Sequence, residues 1–125
     1  MKELVIYRCD ICGNLICMME NSGVIPECCG TGMTRISANT EDAAVEKHIP
    51  VVSRSGANVR ILVGDIPHPM TDSHYITHII MLTDRGAYVR CLKSGDAPEA
   101  KFTIHPEEEV INVYSLCNIH GLWKN

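Results

Sequence analysis

Nine of the chain's thirteen cysteines and histidines fall into two sets that could each hold a metal ion. His48, His68, His74, Cys117 and His120 are spread over the last two-thirds of the sequence. Four imidazoles and one thiolate could make a five-coordinate iron site with one face open. Cys9, Cys12, Cys28 and Cys29 occupy the first third. In Cys9-x-x-Cys12-Gly13 the two-residue gap lets both sulfurs face one ion, and Gly13 permits the tight turn behind them. Cys28 and Cys29 are adjacent, and neighbouring side chains tend to point apart. Both can serve one ion only where the backbone is sharply bent, so a distorted tetrahedral S₄ site is expected. Spacing leaves iron and zinc both open there, and two disulfides or a zinc-ribbon nucleic-acid module are competing readings.

Taken singly, a histidine at the end of a strand is more often hydrogen-bonded than metal-bound, and His78 and His105 are read that way. Cys117-x-x-His120 is more informative, because its spacing suits two ligands of one ion. His68 lies in a rigid turn, Pro67-His68-Pro69-Met70. Cys17, within Leu15-Ile16-Cys17-Met18-Met19, and the mid-strand Cys91 are expected to be small buried hydrophobes.

The chain has 125 residues, 46% hydrophobic and 21% charged, which is ordinary for one or two small globular domains. A net charge of −4 and the absence of a Lys/Arg-rich run argue against a nucleic-acid partner. The apolar start, Leu4-Val5-Ile6-Tyr7, is too short for a signal-peptide core, and no segment has the roughly 18 apolar residues of a membrane helix. A cytoplasmic protein is expected, in which seven cysteines point to metal or redox chemistry rather than disulfides.

Residues 1–36 form a first unit too short to fold without a staple, which four cysteines can supply. Residues 37–44 are polar and read as a linker or docking segment. Residues 37–125 then carry repeated short β-branched runs, with strands expected at Ile49–Ser53, Val59–Val63, Tyr75–Thr83, Ala87–Lys93, Lys101–His105 and Val110–Leu116. No helical period is sustained. The expected architecture is all-β, a small metal-stapled unit followed by a β-sandwich. Loops and strand ends, where such a sandwich presents functional groups, are where the histidines fall.

These motifs, in this order, resemble the desulfoferrodoxin family over essentially the whole length. Tyr7-Arg8-Cys9-Asp10-Ile11-Cys12-Gly13-Asn14 and Cys28-Cys29-Gly30 are similar to its desulforedoxin-type N-terminal domain. Glu46-Lys47-His48-Ile49-Pro50-Val51, His68-Pro69-Met70, His74-Tyr75-Ile76, Gly95-Asp96-Ala97-Pro98-Glu99-Ala100 and Cys117-Asn118-Ile119-His120-Gly121-Leu122-Trp123-Lys124 are similar to its catalytic domain. The resemblance implies an immunoglobulin-like sandwich and two irons per chain. One is held by Cys9, Cys12, Cys28 and Cys29. The other is catalytic, held by His48, His68, His74 and His120 in a plane with Cys117 below it.

The implied activity is superoxide reduction, using one electron and two protons to give hydrogen peroxide. It also implies roles for Lys47 in attracting the anion and for Glu46 in covering the open position at rest. A rubredoxin-type electron donor and a homodimer are implied too. The chain departs from the family at His78, where an aromatic residue is common, and Cys17 is not a family ligand. The readings that compete with this one are a non-catalytic iron electron-transfer protein, whose metals would be closed to azide or cyanide, and a colourless zinc-binding structural module.

Overall fold

The computed structural model describes residues 3–40 and 48–125, and the chain divides into two compact units, Met1–Ser37 and Ala38–Asn125. All regular structure in the described residues is β, and none of it is a helix that could cross a membrane.

The smaller unit has five short strands, β1 (Ile6–Arg8), β2 (Leu15–Cys17), β3 (Glu27–Cys28), β4 (Thr31–Gly32) and β5 (Thr34–Ile36). β1 lies between β2 and β5, antiparallel to both, and β3 and β4 form a separate hairpin. Its buried cluster is Val5, Tyr7, Cys9 and Met33, with Ile16, Met18 and Cys28 packed against it. So few apolar side chains do not offset the ordering entropy of such a segment. Strands of two or three residues carry no readable period. Cys17 corrects an expectation. It ends the edge strand β2 and is exposed, not buried.

The larger unit is a seven-stranded sandwich of the immunoglobulin type, with all neighbouring strands antiparallel. The strands are β6 (Pro50–Ser55), β7 (Asn58–Val63), β8 (Ile76–Thr83), β9 (Ala87–Cys91), β10 (Glu99–Thr103), β11 (Val110–Cys117) and β12 (Gly121–Lys124). One sheet runs β10-β7-β6 and the other β12-β11-β8-β9. Their inner faces meet in a core of Val59, Ile61, Val63, Ile76, Ile79, Met81, Phe102, Ile104 and Val113, in which Cys117 is also buried. Fully burying each of the large aliphatic side chains contributes roughly 1.5–3 kcal/mol.

In β7 every second residue is buried, as alternation predicts. The central pair departs from it. Ile79 to Thr83 and Val113 to Cys117 are buried residue after residue, the signature of a sheet covered on both faces. β12 was not expected, and Cys117 ends a strand instead of lying in a loop. Cys91 is a second correction. It ends the edge strand β9, directly opposite His78, and is exposed. Of the expected linker, Asn39 pairs with Trp123 beside β12. Residues 41–44 lie outside the described ones.

The end of β8 and β11 remote from His74 and Cys117 is closed by a buried carboxylate. Glu108 accepts hydrogen bonds from Thr83 Oγ1 (2.5 Å), Tyr88 OH (2.9 Å) and the His105 N–H (3.3 Å). Arg54 donates to the carbonyls of Pro106 (3.1 Å) and Glu108, tying the same turn to β6. The Thr83 hydroxyl, then Tyr88 and the His105 amide, hold the Glu108 carboxyl below its ordinary value of 4.5 against the opposing effect of burial. A depressed native pKa means that the unfolded chain binds the proton more readily. The stabilisation is therefore complete above 4.5 and is lost as pH falls through the lower native value. Glu108→Gln should flatten this acid limb, measured as the melting temperature of variant and wild type between about pH 6 and about pH 3. Parallel curves would show that Glu108 contributes nothing to acid sensitivity.

Candidate metal centres

The first centre is built by two tight turns. Cys9 ends the segment after β1, and its knuckle is closed by the Gly13 N–H on the Cys9 carbonyl (2.9 Å) and the Cys9 N–H on Asn14 (2.9 Å). The second turn is the two-residue link of the β3–β4 hairpin, Cys29-Gly30, since Cys28 pairs with Thr31. Both linking residues have positive φ, 54° at Cys29 and 76° at Gly30. That is the twist a two-residue hairpin requires. Glycine adopts it without strain, whereas cysteine at φ 54° is uncommon. This bend lets adjacent cysteines face one point.

The four Sγ atoms lie within 4.8 Å of one another, with Cys12 and Cys28 3.7 Å apart. Sulfurs about 2.3 Å from one tetrahedral ion stand about 3.8 Å apart. The Cys12 and Ile11 amides hold the Cys9 thiol down to about 6, while crowding by the Cys12, Cys9 and Cys28 thiols pushes Cys29 up to about 12. Four thiols this close cannot ionise together unless a cation stands among them. The donor set therefore fits a thiophilic divalent ion.

At the second centre the four imidazoles form a near square. Successive ring centroids are 4.7 Å (His48–His68), 4.7 Å (His68–His74), 4.9 Å (His74–His120) and 4.9 Å (His120–His48) apart. The His48–His74 diagonal is 6.5 Å, close to the ratio a square demands. Neighbouring rings meet edge to face, at 62–82°. His48, His68 and Cys117 are buried, His74 is half-buried and His120 is exposed. One ligand atom from each of the five lies within 4.8 Å of the others, and His48 Nε2 is 3.1 Å from His120 Nδ1. Nitrogens about 2.1 Å from a common ion stand about 3.0 Å apart when adjacent and about 4.2 Å when opposite. This arrangement fits one ion, and a mixed imidazole–thiolate set suits iron.

Each of the four histidines is held from behind. His68 Nδ1–H donates to the Pro69 carbonyl at 2.7 Å, which leaves Nε2 as its lone-pair atom. Ser115 Oγ donates to the His48 carbonyl at 2.6 Å. Trp123 stacks on the His48 ring, with centroids 4.6 Å apart and planes 13° from parallel, and its indole N–H donates to the His120 carbonyl at 3.1 Å. His74 closes a turn with Thr71, each amide on the other's carbonyl. The structure thus brings together all nine sequence-predicted ligands, in their two sets. His78 and His105 belong to neither, and Glu46 and Lys47 lie outside the described residues. Sequence reasoning missed Ser115 and Trp123, which carry no spacing signal because they act through contacts between strands.

The chain matches the family model described as Desulfoferrodoxin over residues 40–125. It is 42% identical to the desulfoferrodoxin of Desulfarculus baarsii over 123 residues, covering 98% of this chain and 96% of the other. It is 32% identical to the superoxide reductase of Pyrococcus furiosus over 106 residues, covering 64% of this chain and 86% of that one. Among solved structures, the superoxide reductase from Treponema pallidum superposes with a TM-score of 0.87 at 30% identity, over 100% of this chain and 99% of that one.

Because Cys29 supplies both a sulfur and the strained turn, Cys29→Ser should remove the first metal and leave the second. Elemental analysis should fall from two metals per chain to about one, with thiolate-site affinity lower by tenfold or more. Retention of both metals would show that three sulfurs suffice.

Proposed function

This chain belongs to the desulfoferrodoxin family, and we propose that its larger unit is a superoxide reductase while residues 1–36 form a structural iron module. Two irons are bound per chain, one by Cys9, Cys12, Cys28 and Cys29 and one by His48, His68, His74, His120 and Cys117. The observation that carries the reading is the near square of imidazoles with a buried thiolate beside it. By the family resemblance, Cys117 would hold the iron together with the four imidazoles, its thiolate coming from the core side. Cys117 belongs to the sandwich core, and that leaves the opposite side for substrate.

Superoxide takes up one electron and two protons and leaves as hydrogen peroxide. Ferrous iron, when bound, supplies the electron, and an external donor of rubredoxin type restores it. The side chains do the rest. Four neutral imidazoles orient the open face without adding negative charge that would repel superoxide. The Cys117 thiolate contributes anionic electron density from the buried side, which favours giving up an electron. Lys47, adjacent in sequence to His48, draws in the anion, and Glu46 covers the open side between turnovers. With seven cysteines, most of them ligands, the protein suits a reducing cytoplasm, and a homodimer is the proposed assembly.

Lys47→Ala should slow the encounter with superoxide, by severalfold to about tenfold, and make its rate less dependent on salt. Pulse radiolysis over a range of ionic strengths measures this, and an unchanged rate would assign Lys47 to the solvated surface. Cys117→Ser tests the centre itself. A serine hydroxyl in the core costs about 1–3 kcal/mol, which lowers the melting temperature yet leaves a β-rich protein by circular dichroism. The variant should lose the sulfur-to-iron charge-transfer band and most superoxide reduction. Survival of both would remove Cys117 from the ligand set.

A further inference from the structure

Between Cys117 and His120 lies Asn118, to which the spacing of ligands gives no task. Its side chain is nevertheless committed at both ends. Oδ1 accepts from the Tyr75 N–H at 2.9 Å, and Nδ2 donates to the Ser73 carbonyl at 3.0 Å. Its own amide donates to the Tyr75 carbonyl at 3.1 Å. Tyr75 and Ser73 flank His74, so one residue grips the backbone on either side of one ligand while joined by a peptide bond to another.

The place of this grip in the fold gives it meaning. β11 and β8 lose register between Leu116 and Cys117, so the last residue of β11 meets the first of β8, Ile76, in a single pair beyond an irregularity in the ladder. Beyond that break the chain turns through 118–120 into β12, and His74 sits in a turn outside β8. Without Asn118, that one pair would be the end of the β11–β8 pairing, and the turn that carries His74 would lie beyond it. With it, three hydrogen bonds carry the pairing on past Cys117 and Ile76 to either side of His74, two of them made by the amide side chain in the manner of a further ladder pair. Asn118 Oδ1 also lies 4.0 Å from Cys117 Sγ, so the group that grips Tyr75 also adjoins the sulfur.

We propose that Asn118 is a positioning residue for the second centre, fixing the thiolate of Cys117 relative to the imidazole of His74. It touches neither substrate nor metal. The inference rests on the reading that these two residues hold the same iron.

The test compares wild type, Asn118→Ala and Asn118→Asp as full-length proteins. Each is loaded with iron and, separately, with cobalt(II). The readouts are the energy of the sulfur-to-metal charge-transfer band, the cobalt(II) affinity and hydrogen exchange at the Tyr75 amide. Asn118→Ala should shift or broaden the band, weaken cobalt(II) binding by about tenfold to a hundredfold and speed exchange at Tyr75. Asn118→Asp keeps the acceptor for the Tyr75 N–H and loses the donor to Ser73. It should restore slow exchange at Tyr75 while recovering only part of the band position and affinity. A lowered melting temperature alone, with band and affinity as in wild type, would overturn the proposal by reducing Asn118 to a loop brace. A wild type with no sulfur-to-metal band at this centre would instead overturn the assignment of Cys117, and this inference with it.

Discussion

One ion's coordination sphere has to be filled from distant stretches of chain, and a thiolate has to be kept in an apolar core while this happens. The second demand is the harder, because an anionic sulfur buried among Val63, Ile76 and Val113 is unfavourable unless a cation stands against it. The sandwich answers both demands through strand direction. His48 precedes the start of β6 and His68 follows the end of β7. His74 precedes the start of β8, while Cys117 ends β11 and His120 leads into β12. Antiparallel pairing puts all these termini at one end of the sandwich. Register, then, is what makes the site: a slip in β8 against β11 would carry Cys117 away from His74.

The smaller unit solves a different problem with the same chemistry. Its apolar cluster is too small to hold five strands of two or three residues, so the four sulfurs must contribute to the fold. Without a cation their charges oppose one another, as the separation of Cys9 and Cys29 on the pH scale indicates. Folding and metal uptake are therefore a single event in this unit. In the larger one, a substantial apolar core supports the fold alongside the ligands, Cys117 among its members.

The cysteine set and the Cys117-x-x-His120 pair stood out by spacing, whereas His48, His68 and His74, each weak evidence alone, were joined to that pair by the family resemblance. The all-β class and six strands of the sandwich were legible from β-branched runs set off by turn residues, and in Asn58–Val63 burial alternates as that reading expects. The same reasoning weakened where its premise failed. β8 and β11 were found as strands, but their continuous burial shows no period of two from which to read an inner face, and β12 was missed as too short to show one. Cys17 and Cys91 were misjudged because residue type says how a side chain would behave if buried, while edge position decides whether it is. The supporting contacts of Ser115, Asn118 and Trp123 were illegible for a related reason. Each joins segments tens of residues apart, and its partner is a backbone group or ring that leaves no trace in composition.

Trp123 is the chain's one tryptophan, and it lies face to face with a ligand ring of the second centre. The protein thus carries a native optical label at a single address. Its indole emission originates within a few ångströms of His48, where a bound transition ion or a change in its oxidation state would quench or restore it. The smaller unit has no indole to confuse the signal. Occupancy of the larger unit's centre can therefore be followed in real time by fluorescence, in the unmodified chain and in the presence of the other metal.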